Sequence, residues 1–157
     1  TVPLGTSFSV DVVVSDLRGE VVSAYDIDLS YDDSVLTSAS VTFGALLDPA
    51  IGDSVIDSGL VDFAQVSLAL DTDLLAVQTD PFTLATIVFD ATGLGSSALN
   101  LILDGANEVV GLDGRSLDVT TQGAAVTVVP EPGTIVLLSL GLAVLTSGRT
   151  RPISRRL

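Results

Sequence analysis

The side chains of this sequence that could do chemistry are almost all carboxylates. They occur in close pairs, namely Asp26/Asp28, Asp32/Asp33 and Asp71/Asp73. Two carboxylates can hydrolyse a glycosidic bond when one acts as the acid and the other as base or nucleophile. The chain contains no histidine, cysteine or lysine, which removes the usual general base, the thiol nucleophile and a serine–lysine pair. Since the remaining carboxylate pairs are too frequent to single out a catalytic site, we expect no catalytic residues and a protein that is not an enzyme.

Acidic loops could instead bind calcium, which takes oxygen ligands. The candidate ligands lie in two segments, Asp71 and Asp73 in the first and Asp104, Asn107 and Glu108 in the second. Neither segment matches the EF-hand loop, and aspartate and asparagine favour turns for backbone reasons alone. Two interpretations therefore stay open, a calcium site or ordinary turn carboxylates with no cofactor. A transition-metal site is not expected without histidine or cysteine.

The charge of the chain is distributed unevenly. Residues 1–130 hold 19 of the 20 acidic residues and two of the six arginines, which gives this part a formal charge of −17. A domain with this charge repels nucleic acid, so nucleic-acid binding is excluded. It attracts divalent cations or basic partners and stays in solution through self-repulsion.

Alternating apolar and polar residues predict strands with one buried face through most of this acidic part. The strands expected from this pattern cover approximately residues 8–14, 25–31, 35–43, 54–58, 60–69, 82–90, 99–103 and 123–129. Turn signals rich in glycine, aspartate and proline separate them. Short helical turns are expected at residues 33–36 and 70–76. Many short strands at regular spacing predict an all-β antiparallel sandwich.

The aromatic residues argue against a plain sugar-binding protein. The chain has no tryptophan, two tyrosines and five phenylalanines. Both tyrosines and most phenylalanines fall in phase with the apolar side of a strand, so we expect them in the core and not as exposed platforms for sugar rings. Weak association with a polysaccharide stays open.

The order of the strands resembles a cohesin or cohesin-like domain. The resemblance rests on GTSFSVDV at residues 5–12, AYDIDLSYD at 24–32, FTLATIVF at 82–89 and the strand around Leu99 to Leu101. It spans residues 1–129 and implies a jelly-roll sandwich of about nine strands, related to carbohydrate-binding modules. Because cohesins bind dockerin modules through one sheet face, it also implies a binding or scaffolding role. No dockerin-contacting residue is carried over.

The last residues of the chain form three distinct parts. Residues 130–133 are a proline-rich linker, residues 134–148 are apolar and uncharged, and residues 149–157 hold Arg149, Arg151, Arg155 and Arg156. An apolar segment without a polar face predicts a transmembrane helix. The arginines after it predict a cytoplasmic C-terminus by the positive-inside rule. The chain begins at Thr1, and we expect that a signal peptide precedes it in the precursor.

This tail resembles a PEP-CTERM sorting signal. The resemblance covers residues 129–157 and rests on Val129, Pro130, Glu131, Pro132 and Gly133, followed by the apolar segment and the arginines. It implies processing near the Pro-Glu-Pro motif by an exosortase of a Gram-negative bacterium. It also implies transient anchoring in the inner membrane and delivery to the cell surface or to an exopolysaccharide matrix.

Two functions follow from these features. The first is a non-catalytic binding or scaffold module at the cell surface or in the matrix, with an extracellular protein or polysaccharide as partner. The alternative is a structural subunit that self-associates into a filament or coat, since valine-rich strands can pair through their edges.

Overall fold

The alternating strands fold into a sandwich of two β-sheets. A computed structural model describes residues 1–103 and 108–131, together with Gly133, Leu137 and Leu140. Residues 1–103 and 108–131 form one α-helix, α1 (Asp71–Val77), and ten strands: β1 (Val2–Pro3), β2 (Ser7–Val14), β3 (Ala24–Ser30), β4 (Leu36–Phe43), β5 (Ala50–Asp57), β6 (Leu60–Ser67), β7 (Phe82–Ala91), β8 (Gly95–Ile102), β9 (Val109–Val110) and β10 (Ala124–Val129).

The two sheets differ in size. The large sheet has the strand order β1-β10-β8-β3-β6-β5, with the short strand β9 also paired to β3. The small sheet has the order β2-β7-β4. In the described chain β1 and β10 pair in parallel, and the other strand pairs are antiparallel. The centre of the large sheet is therefore β3, flanked by β6 and β8.

The core lies between the inward faces of both sheets. The large sheet contributes Tyr25, Ile27, Leu29, Val61, Phe63 and Leu99, and the small sheet contributes Leu84, Ile87 and Phe89. The Tyr25 hydroxyl donates to the carbonyl of Leu84 at 2.9 Å and so links the sheets. Burial raises the pKa of Tyr25, which keeps this donor protonated. None of the seven aromatic side chains is exposed.

The hairpin between β5 and β6 depends on the residues of its turn. β5 and β6 form a hairpin with Ser58 and Gly59 between the paired ends Asp57 and Leu60. Gly59 has a φ of 78°, a left-handed conformation that favours glycine. The carbonyl of Tyr31 would lie 3.2 Å from a Cβ at this position. This turn sets the register of β5 against β6.

Most strand predictions are confirmed, and two features differ. The sequence pattern predicted strands at residues 54–58 and 99–103, whereas β5 begins at Ala50 and β8 begins at Gly95. The two-residue strands β1 and β9 were not predicted, because so short a segment shows no alternation. The helical turn predicted at residues 70–76 is α1, and residues 33–35 form a turn.

The predicted tail lies largely outside the described residues. Gly133, Leu137 and Leu140 are helical, and both leucines are exposed. In the part of the chain that the structure describes, no helix is long and apolar enough to cross a membrane. The helix over 134–148 and the cytoplasmic segment 149–157 stay predictions.

Candidate functional site

The outward surface of three neighbouring strands carries a group of carboxylates. Residues on one side of a strand recur with a period of two, so the inward positions of Tyr25, Ile27 and Leu29 turn Asp26 and Asp28 to the opposite side. The pairing of the strands adds Asp62 from β6 and Asp53 from β5 to this surface. We call it the acidic face, and it comprises Asp26, Asp28, Asp53 and Asp62 with the apolar side chains Ile51, Val55 and Val66.

The register places the carboxylates close together. Asp28 lies directly opposite Asp62, and both Asp26 and Asp53 lie opposite Ala64. Burial raises the pKa of Asp62, and the negative charges of Asp26, Asp28 and Asp53 raise it further. The acidic face therefore has an unfavourable electrostatic energy that a cationic group would relieve.

Exposed apolar side chains border these carboxylates. On the outward side of β5, Ile51 and Val55 are 65% and 51% exposed, and Val66 on the neighbouring β6 is 51% exposed. Leu68, just past the end of β6, is exposed as well. Apolar residues next to polar ones are typical of surfaces that bind another protein.

Both arginines in the described part of the chain are engaged elsewhere. Arg18 forms a salt bridge with Asp16 at 2.6 Å, and Arg115 pairs with Glu20. The hydrogen bond from Arg18 lowers the pKa of Asp16. Neither of these two salt bridges involves a carboxylate of the acidic face.

The arrangement fits recognition of a basic surface better than chelation of one ion. Within the described residues, no group of three or more acidic side chains is placed to hold a metal ion. The carboxylates of the acidic face are instead spread along three strands. Charge of one sign over such an area steers a basic partner and sets its orientation.

The predicted calcium ligands are only partly described. Asp71 and Asp73 both lie in the first turn of α1, and a carboxylate oxygen of Asp71 accepts from the backbone amide of Asp113 at 2.8 Å. Glu108 contacts β3 through its backbone carbonyl, which accepts from the amide of Asp26 at 2.9 Å. Asp104 and Asn107 lie outside the described residues, so the calcium site stays a prediction.

The carboxylate pair Asp32/Asp33 stabilises turns. Asp32 accepts from the amide and the hydroxyl of Ser34 at 3.0 and 2.6 Å, and the hydroxyl contact lowers the pKa of Asp32. Asp33 accepts a hydrogen bond from the hydroxyl of Ser58. These contacts are the ones expected of turn carboxylates.

The residues predicted to direct sorting lie at and after the end of the last strand. Val129 ends β10 and lies opposite Pro3 of β1, and Pro130 and Glu131 are exposed beyond it. Gly133 is exposed too, while Pro132 and the four C-terminal arginines lie outside the described residues. Their role in sorting stays a prediction.

Sequence reasoning did not select Asp53 and Asp62. Asp26 and Asp28 stood out because they are two residues apart on one strand. Asp53 and Asp62 are separated from them along the chain, and only the pairing of β3, β6 and β5 brings them onto the same surface. For Asp62 the available signal was its alternation with the buried residues Val61 and Phe63 of β6. Asp53 lies on β5, whose residues show no such alternation.

Several solved structures share this fold. A non-cellulosomal cohesin from the archaeon Archaeoglobus fulgidus aligns with a TM-score of 0.64 and 20% identity, covering 87% of this chain and 90% of that one. A cohesin module of a family 33 glycoside hydrolase from Clostridium perfringens aligns with a TM-score of 0.67 and 18% identity, covering 83% and 90%. A type I cohesin–dockerin complex from Clostridium thermocellum gives a TM-score of 0.64 and 13% identity, covering 81% and 92%.

The comparison with protein families agrees with these folds. A search of the curated proteins found no match. The family model described as "Cohesin domain" matches residues 1–151, which include both sheets and the acidic face. With nearly the whole chain matched and the two-sheet sandwich on the same residues, the protein belongs to the cohesin-domain family.

Proposed function

We propose that this chain is a non-catalytic protein-binding module whose acidic face recognises a basic surface of a partner protein. The observation that carries the proposal is the set of four carboxylates on β3, β5 and β6, bordered by exposed Ile51, Val55 and Val66. Membership of the cohesin family supports it, since the relative from Clostridium thermocellum was solved as a cohesin–dockerin complex. A dockerin-type module is the first partner to test.

The electrostatics of the acidic face favour a partner with lysine or arginine side chains. Desolvation and three neighbouring carboxylates raise the pKa of Asp62, and a positive charge nearby would lower it again. The apolar side chains beside the carboxylates would supply buried area, while the charges would increase the association rate and fix the orientation.

Binding assays with the full chain test this proposal. We expect the full chain to capture a secreted protein or dockerin-type module of its source organism, and the double variant Asp26→Asn/Asp62→Asn to bind at least about tenfold more weakly, or about 1.4 kcal/mol. Asp71→Asn/Asp73→Asn is the matched control, because it removes the same charge from α1. Equal weakening by both pairs, or no weakening by the first, would reject the acidic face as the binding site.

We further propose that the module is exported and sorted through residues 129–157. The order of proline motif, apolar segment and arginines supports this proposal, and an acidic domain suits an extracellular location because its charge keeps it in solution. Intact-mass measurement of the protein purified from its source should give a chain ending near Pro130. A mass that includes Leu157 would contradict processing.

A further inference from the structure

A slot of about 1070 Å³ opens between the two sheets on the side of β2. Its floor is apolar and is formed by side chains of both sheets: Val10, Val12, Ile27, Leu29, Leu84, Leu99 and Leu101. Val12 is buried at this position and Val10 is half-buried. An extended apolar floor of this size suits a long apolar ligand or a row of apolar side chains.

One wall of the slot is the backbone edge of β2. Every residue from Val10 to Val14 lines it, although successive side chains of a strand point to opposite faces. Consecutive lining residues indicate that the backbone edge of β2 faces the slot, although the register of β2 against β7 shifts between Val12 and Val13. In the described chain β2 pairs with β7 alone, so the other edge of β2 offers unpaired amide and carbonyl groups.

The opposite wall also offers backbone groups. Residues 115–122 line it consecutively and, apart from the bridge at Ser116, contain no strand. The amide of Leu117 donates to the carbonyl of Val109 at 2.8 Å. Among the described residues, no backbone hydrogen bond is recorded for residues 118–122. The slot is thus bounded by polar backbone on both sides and by apolar side chains below.

This combination favours a peptide strand over a lipid or another small apolar molecule. A lipid would cover the floor but leave the amide and carbonyl groups of both walls without partners, and buried backbone groups need hydrogen bonds. A strand would satisfy those groups and place every second side chain on the floor.

The charged residues that line the slot further restrict the composition of a bound strand. The slot is lined by Asp11, Asp16, Glu20 and Asp118, and its two arginines, Arg18 and Arg115, already pair with Asp16 and Glu20. The other two carboxylates are Asp118 and Asp11, and Asp11 also accepts a hydrogen bond from the hydroxyl of Thr86 at 2.6 Å. Both favour cationic side chains on the ligand.

We propose that the edge of β2 accepts an extended partner segment by strand addition, with apolar residues at every second position and basic residues between them. This site lies in the opening between the sheets, whereas the acidic face lies on the outer side of the large sheet. A failure of binding at one site would therefore not contradict binding at the other.

A synthetic peptide tests the proposal on the full chain. The probe is an acetylated and amidated octapeptide of alternating valine and lysine, labelled for fluorescence anisotropy at physiological salt. Its control carries N-methyl groups on every second amide, which keep the charge and the apolar side chains but remove hydrogen-bond donors. We expect saturable binding of the probe, at least tenfold weaker binding of the control, and slower hydrogen exchange of the amides in β2.

Substitutions locate the binding site. Val10→Phe and, separately, Leu101→Phe fill the floor of the slot and should each weaken probe binding at least fivefold. Leu75→Phe adds the same ring to an exposed position of α1, outside the slot and the acidic face, and should leave binding within twofold. Melting curves identify any variant that does not fold, and the exchange measurement on the unsubstituted chain tests the site without any variant.

Three results would overturn the proposal. The first is equal binding of the probe and its N-methylated control, which would indicate attraction by charge alone. The second is protection of amides in β5 and not in β2. The third is displacement of the probe by a long-chain fatty acid that binds more tightly.

Discussion

At the scale of single residues, Asp62 shows the repulsion between carboxylates on the outer side of the large sheet. It lies opposite Asp28 across β3 and β6, and its pKa is raised by burial and by Asp26, Asp28 and Asp53. Like charges directly opposite each other on a sheet destabilise it by several tenths of a kcal/mol. A residue that destabilises the sheet in this way is a good candidate for binding, because functional surfaces often trade stability for recognition.

We therefore expect Asp62→Asn to increase the free energy of unfolding by about 0.2–1 kcal/mol at pH 7. A carboxyl whose pKa is raised by folding binds its proton more tightly in the folded state, so its charged form destabilises the protein above that pKa. The gain should fade as the pH falls from the raised pKa of Asp62 towards the ordinary value of aspartate. Urea unfolding at several pH values measures it.

The control for this experiment is Asp118→Asn, which removes one negative charge from an exposed loop. It should change stability by much less than Asp62→Asn. An equal gain in both variants would assign the effect to net charge and not to the cluster on the acidic face.

At the scale of elements, Gln78 connects α1 to the rest of the sandwich. Its side-chain amide donates to the carbonyls of Val22 and Leu46 at 2.7 and 3.2 Å, and its oxygen accepts from the amide of Val22 at 2.9 Å. Val22 is fully buried, so its backbone groups depend on this one side chain. A helix of seven residues is too short to be stable without such contacts.

Replacing this side chain should loosen the helix from the sandwich. We expect Gln78→Ala to lower the free energy of unfolding by about 1–3 kcal/mol, because it leaves buried backbone groups of Val22 without partners. Gln122→Ala, in an exposed loop, is the matched control and should stay within about 0.5 kcal/mol of the unsubstituted chain. A denaturant midpoint that does not move for Gln78→Ala would show that water replaces the amide.

At the scale of the whole molecule, charge governs behaviour in solution. The formal charge of −17 on residues 1–130 opposes close approach of two copies. Assembly into a filament would have to overcome this repulsion, whereas a basic partner would be attracted by it. The charge therefore favours a binding module over a structural subunit.

Calcium also affects the whole molecule, since any added cation screens the negative charge of residues 1–130. We expect EDTA to leave the melting temperature within about 1 °C, because an occupied site at a hundredfold excess over Kd would add about 2.7 kcal/mol and shift it by several degrees. Magnesium at equal ionic strength is the control for screening. A rise with calcium alone, lost in Asp71→Asn/Asp73→Asn, would establish the site.

The sequence by itself determined most of the strands and, where residues alternate, which face of the strand is buried. In β3 the alternation of Tyr25, Ile27 and Leu29 with Asp26 and Asp28 fixes which side is buried, because side chains of a strand alternate between faces whatever its neighbours are. The composition excluded cysteine and histidine chemistry, and the order of the segments indicated a cohesin-like domain.

Only the tertiary structure decided which strands are neighbours. The pairing of β3, β6 and β5 brings Asp53 and Asp62 beside Asp26 and Asp28, and the three-stranded order β2-β7-β4 leaves one edge of β2 facing the slot. Local alternation contains no information about partners distant in sequence, since a strand presents the same pattern beside any neighbour. The carboxylates were therefore predictable one strand at a time, but the acidic face and the slot arise from long-range pairing.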